Sequence, residues 1–136
     1  MASSDLDKLM HSAMPFSRYI GASALSATND EVRTRVDWQE QLCTAGGVLH
    51  GGLLMALADS TGALCAHLNL PEGASTSTIE SKTNFLRGVR GGYVEAIARP
   101  LHVGRTTVVV DTELRDSAGK LVARTTQTQA VLARGD

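Results

Sequence analysis

A length of 136 residues and a 43% hydrophobic composition fit one compact domain over 1–136, and they exclude a disordered chain. The formal net charge of -1, without any run of Lys or Arg, predicts no nucleic-acid and no membrane partner. Two cysteines are too few for a disulfide framework and no secretory signal opens the chain, so we expect a cytoplasmic protein.

The first part of the chain predicts a short leading helix and two strands. Residues 4–13 place apolar side chains at helical spacing after Ser4, a good cap, so this helix falls within 1–15. A strand is expected at 19–27. A second is expected at 31–38, where Val and Thr alternate with charged residues.

The remainder predicts one long helix followed by four strands. The longest helical pattern covers 51–68 and is apolar nearly all round, so most of its faces should be buried. The strands are expected at 76–87, 93–103, 106–115 and 121–132. Their short, mostly glycine-containing connections predict a meander of antiparallel hairpins. The fold class is therefore α+β, an antiparallel sheet wrapped around one long central helix.

Asp59 is the residue of the central helix that folding alone does not explain. Its neighbours at three and four positions are Met55, Ala56, Gly62 and Ala63, and none can pair with a carboxylate. Burying an unpaired charge is costly, so either this face opens to water or the carboxylate serves a functional site. The small side chains at 62 and 63 leave room beside it for a ligand or another backbone.

The segment His50-Gly51-Gly52 at the helix start is a second candidate element. Backbone N–H groups and the positive end of the helix dipole can polarise a carbonyl there, and Gly51 and Gly52 allow a substrate close to the backbone. A loop-to-helix transition capped by His50 would give the same sequence, and for each feature alone that simpler interpretation is favoured.

Helix geometry keeps these two elements apart within one chain. His50 and Asp59 are nine positions apart, so they point to opposite sides and lie roughly 13.5 Å apart along the axis. If they share a site, a second chain must bring its own helix alongside in the antiparallel direction. The sequence therefore predicts a two-fold dimer with two equivalent sites.

Residues 47–52 (GVLHGG) and 56–59 (ALAD), with 83–87 (TNFLR) and 100–105 (PLHVGR), resemble a known family. They are similar to the hotdog-fold acyl-CoA thioesterases of the phenylacetate-pathway (PaaI-like) type. The resemblance covers nearly the whole chain from about Ile20. It implies side-by-side dimers, often joined as tetramers, that hydrolyse an aryl- or acyl-CoA thioester to free acid and coenzyme A.

The resemblance also assigns roles by position. Gly51 N–H would polarise the thioester carbonyl, and His50 would position the loop and helix start. Asp59 would act as general base on water or as the nucleophile that forms an anhydride. Thr78 matches the hydroxyl with which aspartate-type relatives hold the attacking water. Coenzyme A is part of the substrate, and no cofactor or metal is expected.

Two positions depart from the family pattern. Thr44 stands where many relatives carry Asn or Gln, and Ala63 stands where glutamate-type relatives carry Ser or Thr, so the chain resembles the aspartate variety. Arg87, Arg90 and Arg105 are candidate contacts to the phosphates of coenzyme A, although a solvated arginine at a strand end is the commoner case.

Two other functions remain open from the residues. One is a hotdog hydratase or dehydratase acting on acyl thioesters, although His50 directly before two glycines favours hydrolysis. The other is an acyl-CoA-binding domain without catalysis, which would give Asp59 no chemical role. Aryl-acetyl, benzoyl-type and medium-chain acyl groups are all compatible with the sequence.

Overall fold

The computed structural model describes residues 3–133. Its helices are α1 (Ser3–Ala13), α2 (Pro15–Tyr19) and α3 (Gly51–His67), with two short 3-10 turns between β2 and α3. Its strands are β1 (Ser23–Ala27), β2 (Val32–Asp37), β3 (Ser75–Phe85), β4 (Tyr93–Val103), β5 (Thr107–Asp116) and β6 (Leu121–Leu132).

The six strands form one antiparallel sheet in the order β1-β2-β4-β5-β6-β3. Helix α3 packs across β2 to β6, and the fully buried Leu57, Val94 and Leu114 belong to the core between helix and sheet. The predicted α+β arrangement, with the sheet around one central helix, is confirmed. Strands β1 and β3 are its two edges.

Helix α3 forms where the sequence predicts it and is buried as expected, except on one stripe. Ten of its 17 residues are buried, which is why its interior-facing positions are apolar or small. Gly52, Met55 and Asp59 are exposed and follow each other at helical spacing. This exposed stripe lies on the face that the sheet leaves uncovered.

The predicted meander is wrong in one connection. β3 pairs with β6 and not with β4, whereas the β4–β5 and β5–β6 hairpins form as predicted. The segment 86–92 crosses the end of the sheet because Val89 is buried and its carbonyl accepts a hydrogen bond from Leu49 N–H (2.9 Å). Gly92 O then accepts from Trp38 N–H, which brings the chain to β2, where β4 pairs.

The strand expected at 19–27 begins later, at Ser23. Pro15 stands in the first turn of α2 with its φ already helical, so the chain continues as a helix to Tyr19. Gly21, with a φ of 77°, then reverses the direction of the chain into β1. The expected cap Ser4 lies inside α1, which already includes Ser3.

Within residues 3–133, no helix is long and apolar enough to cross a membrane.

Candidate active site

The start of α3 leaves one backbone donor without a partner. The first four N–H groups of a helix have no intrahelical acceptor. Here Gly52 N–H donates to His50 Nδ1 (2.8 Å), and the N–H groups of Leu53 and Leu54 both donate to His50 O. Gly51 N–H donates to no acceptor within the described part of the chain. It is therefore the donor that the helix start offers to a ligand.

His50 acts as the N-cap of α3. Its Nδ1 accepts the Gly52 proton, which leaves Nε2 as the ring nitrogen that can donate. A Cβ at Gly52 would lie 2.9 Å from this Nδ1, so glycine keeps the space that the capping ring uses. The backbone N–H of His50 donates to Leu42 O, which fixes the incoming loop. His50 thus shapes the helix start that presents Gly51.

Asp59 lies on the exposed stripe of α3. The apolar helix residues expected around it form only part of its environment. Its partners come from two strands. Thr78 Oγ1 of β3 donates to Asp59 Oδ1 at 2.9 Å, and Gln127 Nε2 of β6 donates to the same oxygen at 3.2 Å. The carboxylate is therefore open to water on one side and held by two donors on the other.

Further hydrogen bonds connect Thr78 to side chains of the sheet. Gln129 Nε2 lies 2.7 Å from Thr78 Oγ1, and the Thr76 hydroxyl is shared between Gln129 Oε1 at 3.0 Å and Ala130 O at 2.8 Å. Gln127 and Gln129 are both fully buried. The site therefore contains a polar chain that runs from β6 through β3 to the helix carboxylate.

The space beside Gly62 does not accommodate a ligand as predicted. A Cβ there would lie 2.0 Å from Gln127 Oε1, so the buried amide already occupies it. Prediction and structure differ because the occupant comes from β6, 65 positions away in sequence. Gly62 instead permits the close approach of the amide that donates to Asp59.

Gly51 and Asp59 stay apart within the chain, as the sequence predicts. α3 is one continuous helix, and eight positions correspond to about 12 Å along its axis. Strand β3 passes both groups: Thr78 bonds Asp59, and the ring of Phe85 lies 3.2 Å from where a Cβ of Gly51 would be. One chain therefore carries the two candidate groups at different places along the same edge strand.

An apolar cavity of about 350 Å³ lies between α1, α3 and the start of β3. Leu9 and Met14 line it from the N-terminal helix side, and Ala63 and His67 line it from α3. Ala63 is one helical turn beyond Asp59, and Thr76 of the polar chain lies at the same cavity. The cavity therefore lies one helical turn along α3 from the carboxylate.

The other candidate binding residues do not gather at one place in the chain. Thr44 is exposed in the loop before α3, and its backbone N–H donates to Val48 O. Arg87 and Arg90 are exposed in the segment after β3, at the end of the sheet where β6 begins. Arg105 is exposed in the β4–β5 turn at the opposite end. None of the three guanidinium groups forms a salt bridge within residues 3–133.

The cysteines do not contribute to this site. Cys65 is buried in α3, and burial raises the pKa of its thiol to about 11. Cys43 is half-buried, and its thiol donates to Gln39 O. In the part of the chain that the structure describes, no three His, Cys, Asp or Glu side chains cluster closely enough to hold a metal ion.

Sequence reasoning missed Gln127 and Gln129. The segment 121–132 reads correctly as a strand, but its pattern contains a signal that a strand assignment does not use. Thr125, Gln127 and Gln129 alternate on the inward face, where apolar residues are expected, while Arg124 and other polar residues occupy the outward face. Polar residues on both faces of a central strand indicate a buried polar network.

The fold is that of a thioester-hydrolysing family. The chain belongs to the thioesterase superfamily, whose profile matches residues 46–123. This family membership confirms, at the level of the family, the predicted thioester hydrolase. It also confirms the hotdog fold.

Three relatives illustrate the similarity. A thioesterase of Haemophilus influenzae superposes with a TM-score of 0.92 at 27% identity, covering 100% of this chain and 94% of that one. A protein of Ralstonia eutropha, described as related to phenylacetic acid degradation, superposes with a TM-score of 0.81 at 28% identity, covering 87% and 90%. A protein of Pseudomonas aeruginosa, whose name proposes an esterase, is 40% identical over 90 residues, 64% of this chain and 62% of that protein. Across the first curated relatives, the aligned part covers 57% to 84% of the relative's length.

Proposed function

We propose that this chain hydrolyses acyl-CoA thioesters in a dimer, in which Asp59 of one chain acts with Gly51 N–H of the other. The observation that carries the proposal is the single unpaired donor at the start of α3. It lies beside the same edge strand whose Thr78 bonds Asp59. A carbonyl-polarising donor and a carboxylate with water access are the two groups that thioester hydrolysis requires.

The free edge of β3 supports the dimer. Thr78 lies beside Asp59 and Phe85 lies beside Gly51. Antiparallel pairing of two β3 strands, centred near residues 81 and 82, would place Thr78 opposite the partner's Phe85. Asp59 would then face the partner's Gly51, and the two-fold axis would generate a second, equivalent site.

Apolar side chains along this edge support the same pairing. Met55, Ile79 and Phe85 are 37%, 59% and 51% exposed, although each is large and apolar. A second chain would cover them and would also pair the open backbone groups of β3. We extend the proposal to a tetramer of two dimers and to the aspartate variety of the PaaI-like type, which rest on the sequence resemblance.

The reaction then forms an oxyanion that a backbone N–H of the site can stabilise. Water transfers a proton to Asp59 while the water oxygen bonds the thioester carbonyl carbon. The resulting oxyanion accepts the hydrogen bond from the partner's Gly51 N–H. Collapse breaks the C–S bond, the thiolate of coenzyme A takes up a proton, and the free acid leaves. In the alternative route Asp59 itself attacks the carbonyl carbon, and water hydrolyses the anhydride. Label on Asp59 after a single turnover in ¹⁸O-water would identify the anhydride route, because only hydrolysis of the anhydride at the aspartyl carbonyl places ¹⁸O there.

The apolar cavity supports an aryl or medium-chain acyl group as the substrate. Its lining by Leu9, Met14 and Ala63 suits a hydrocarbon, and it begins one turn beyond the carboxylate. Coenzyme A would remain outside, where Arg87 or Arg90 could meet its phosphates. A cytoplasmic location fits this substrate and the two free thiols.

The test is thiol release from phenylacetyl-CoA, benzoyl-CoA and octanoyl-CoA by the wild-type chain and by Asp59→Asn. We expect hydrolysis of at least one ester by the wild type and a loss of at least about a thousandfold in kcat for the variant. Wild-type activity that survives in Asp59→Asn contradicts the proposal. Addition of water to an enoyl-CoA without thiol release would indicate the hydratase. Inactivity toward every ester, despite binding, would indicate a binding domain.

A further inference from the structure

We infer that the two buried glutamines of β6, Gln127 and Gln129, are positioning residues that aim one oxygen of Asp59 at the substrate. The inference rests on the proposed function, because it assigns a task to the surroundings of the same carboxylate. Neither glutamine reaches solvent. Both act through hydrogen bonds that end on Asp59.

The direction of each proton in this chain follows from the charge at its end. An ionised Asp59 has no proton to give, so the Thr78 hydroxyl, 2.9 Å from Oδ1, must donate to it. Thr78 has then used its only proton. The group 2.7 Å from Thr78 Oγ1 must therefore be the donor, which is Nε2 of Gln129. Gln129 Oε1 consequently faces the Thr76 hydroxyl at 3.0 Å, whose single proton it shares with Ala130 O at 2.8 Å.

These donors converge on one of the two carboxylate oxygens. Thr78 and Gln127 both donate to Oδ1 of Asp59, and Oδ2 has no protein donor within residues 3–133. Oδ1 is thereby held toward β3 and β6. Oδ2 is the atom left to accept the proton of water or to attack the thioester.

Burial strengthens the hydrogen bonds by which the two glutamines orient Asp59. Gln127 and Gln129 are both fully buried, so water does not compete for their amide protons. Hydrogen bonds in such surroundings are stronger than in water, and a buried amide that loses one finds no replacement. A change at either glutamine should therefore reach Asp59 as a change in orientation.

The same two strands contain a polar pair without this connection. Thr83 of β3 and Thr125 of β6 lie opposite each other, and their hydroxyls are 2.8 Å apart. Thr125 is fully buried like the glutamines, but among the side-chain contacts of residues 3–133 the two hydroxyls bond only each other. It provides a matched control for the loss of a buried hydrogen bond between β3 and β6.

The experiment compares Gln129→Met, Thr78→Val, their double variant and the control Thr125→Val. Each full-length variant is assayed for kcat and KM with an acyl-CoA that the wild type hydrolyses, and for thermal unfolding and oligomeric state. We expect Gln129→Met to lower kcat about tenfold with KM changed less than about twofold. In the Thr78→Val background the same change should cost no further activity, because Gln129 acts through that hydroxyl. Thr78→Ser, which keeps the hydroxyl, should retain most of kcat.

Equal losses of kcat from Gln129→Met with and without the Thr78 hydroxyl would overturn the inference, as would an equal loss in Thr125→Val. Gln129→Leu replaces Gln129→Met if the latter does not fold. Different results refute the proposed function and the positioning role. Activity that survives in Asp59→Asn refutes the proposed function, whereas an inactive Asp59→Asn with a fully active Gln129→Met refutes the positioning role alone.

Discussion

Replacing Gly62 with alanine places a methyl group where the Gln127 amide lies. The new Cβ would be 2.0 Å from Oε1, whereas ordinary contacts begin at 3.4 Å. The amide would have to move by about 1.4 Å, too far to keep its 3.2 Å contact with Asp59 Oδ1. Loss of a hydrogen bond to a charged group costs about 1.5–3 kcal/mol. We therefore expect kcat to fall between about tenfold and a hundredfold.

Stability should respond differently from activity. Alanine is about 1 kcal/mol better than glycine in a helix, which offsets much of the roughly 1–3 kcal/mol that overpacking costs. With the lost hydrogen bond to Asp59 included, the free energy of unfolding should fall by roughly 1.5–5 kcal/mol, measured by urea titration.

The assay is a double-mutant cycle on thiol release with Gln127→Val. Valine ends at Cγ and leaves the space beside Gly62 open, so Gly62→Ala should then have no further effect on kcat. The same loss in both backgrounds, or full activity of Gly62→Ala alone, would refute the reasoning.

Three further predictions follow from single contacts. Gly51→Pro removes the unpaired N–H at a position that tolerates proline, so it should lower kcat about a hundredfold. Gly51→Ala adds a Cβ with the same close contact to the Phe85 ring, 3.2 Å, but keeps the N–H, so it should lose much less activity; equal losses in the two variants contradict a role for the donor. Ala63→Phe fills the apolar cavity and should reduce kcat/KM for octanoyl-CoA more than for acetyl-CoA, and an equal reduction for both would place the acyl group elsewhere. Burial raises the pKa of the Cys65 thiol from 9.0 to about 11, so between these pH values the folded chain keeps a proton that the unfolded chain loses. The free energy of unfolding should therefore fall as the pH rises through this range, and a fall of the same size in Cys65→Ala would contradict this.

Local patterns predict most of the elements because they report burial directly. The apolar run of 51–68 gives α3 within one residue, and the strands expected at 93–103 and 121–132 match the observed bounds of β4 and β6. Turn chemistry correctly gives the β4–β5 and β5–β6 hairpins. The spacing of His50 and Asp59 likewise fixes their separation on one helix, since that depends on helix geometry alone.

These local patterns do not predict which strands pair in the sheet. β3 follows α3 and is polar on both faces, so nothing local distinguishes a hairpin with β4 from an edge position beside β6. The buried Val89 anchors the connection to β4, and one valine among glycines gives no clear signal in the sequence. The partners of Asp59 were missed for the same reason, because Gln127 meets it only once β6 lies beside the helix.

The central claim, that each site takes Asp59 from one chain and Gly51 N–H from the other, is tested most directly by mixing two inactive variants. Asp59→Asn and Gly51→Pro are co-expressed with different affinity tags, and thiol release is measured on the mixture. A mixed dimer has one site in which both groups are intact, so activity should return to about a quarter of the wild-type value. If both groups served a site within one chain, no mixture would contain an intact site. A mixture as inactive as its components would contradict the account.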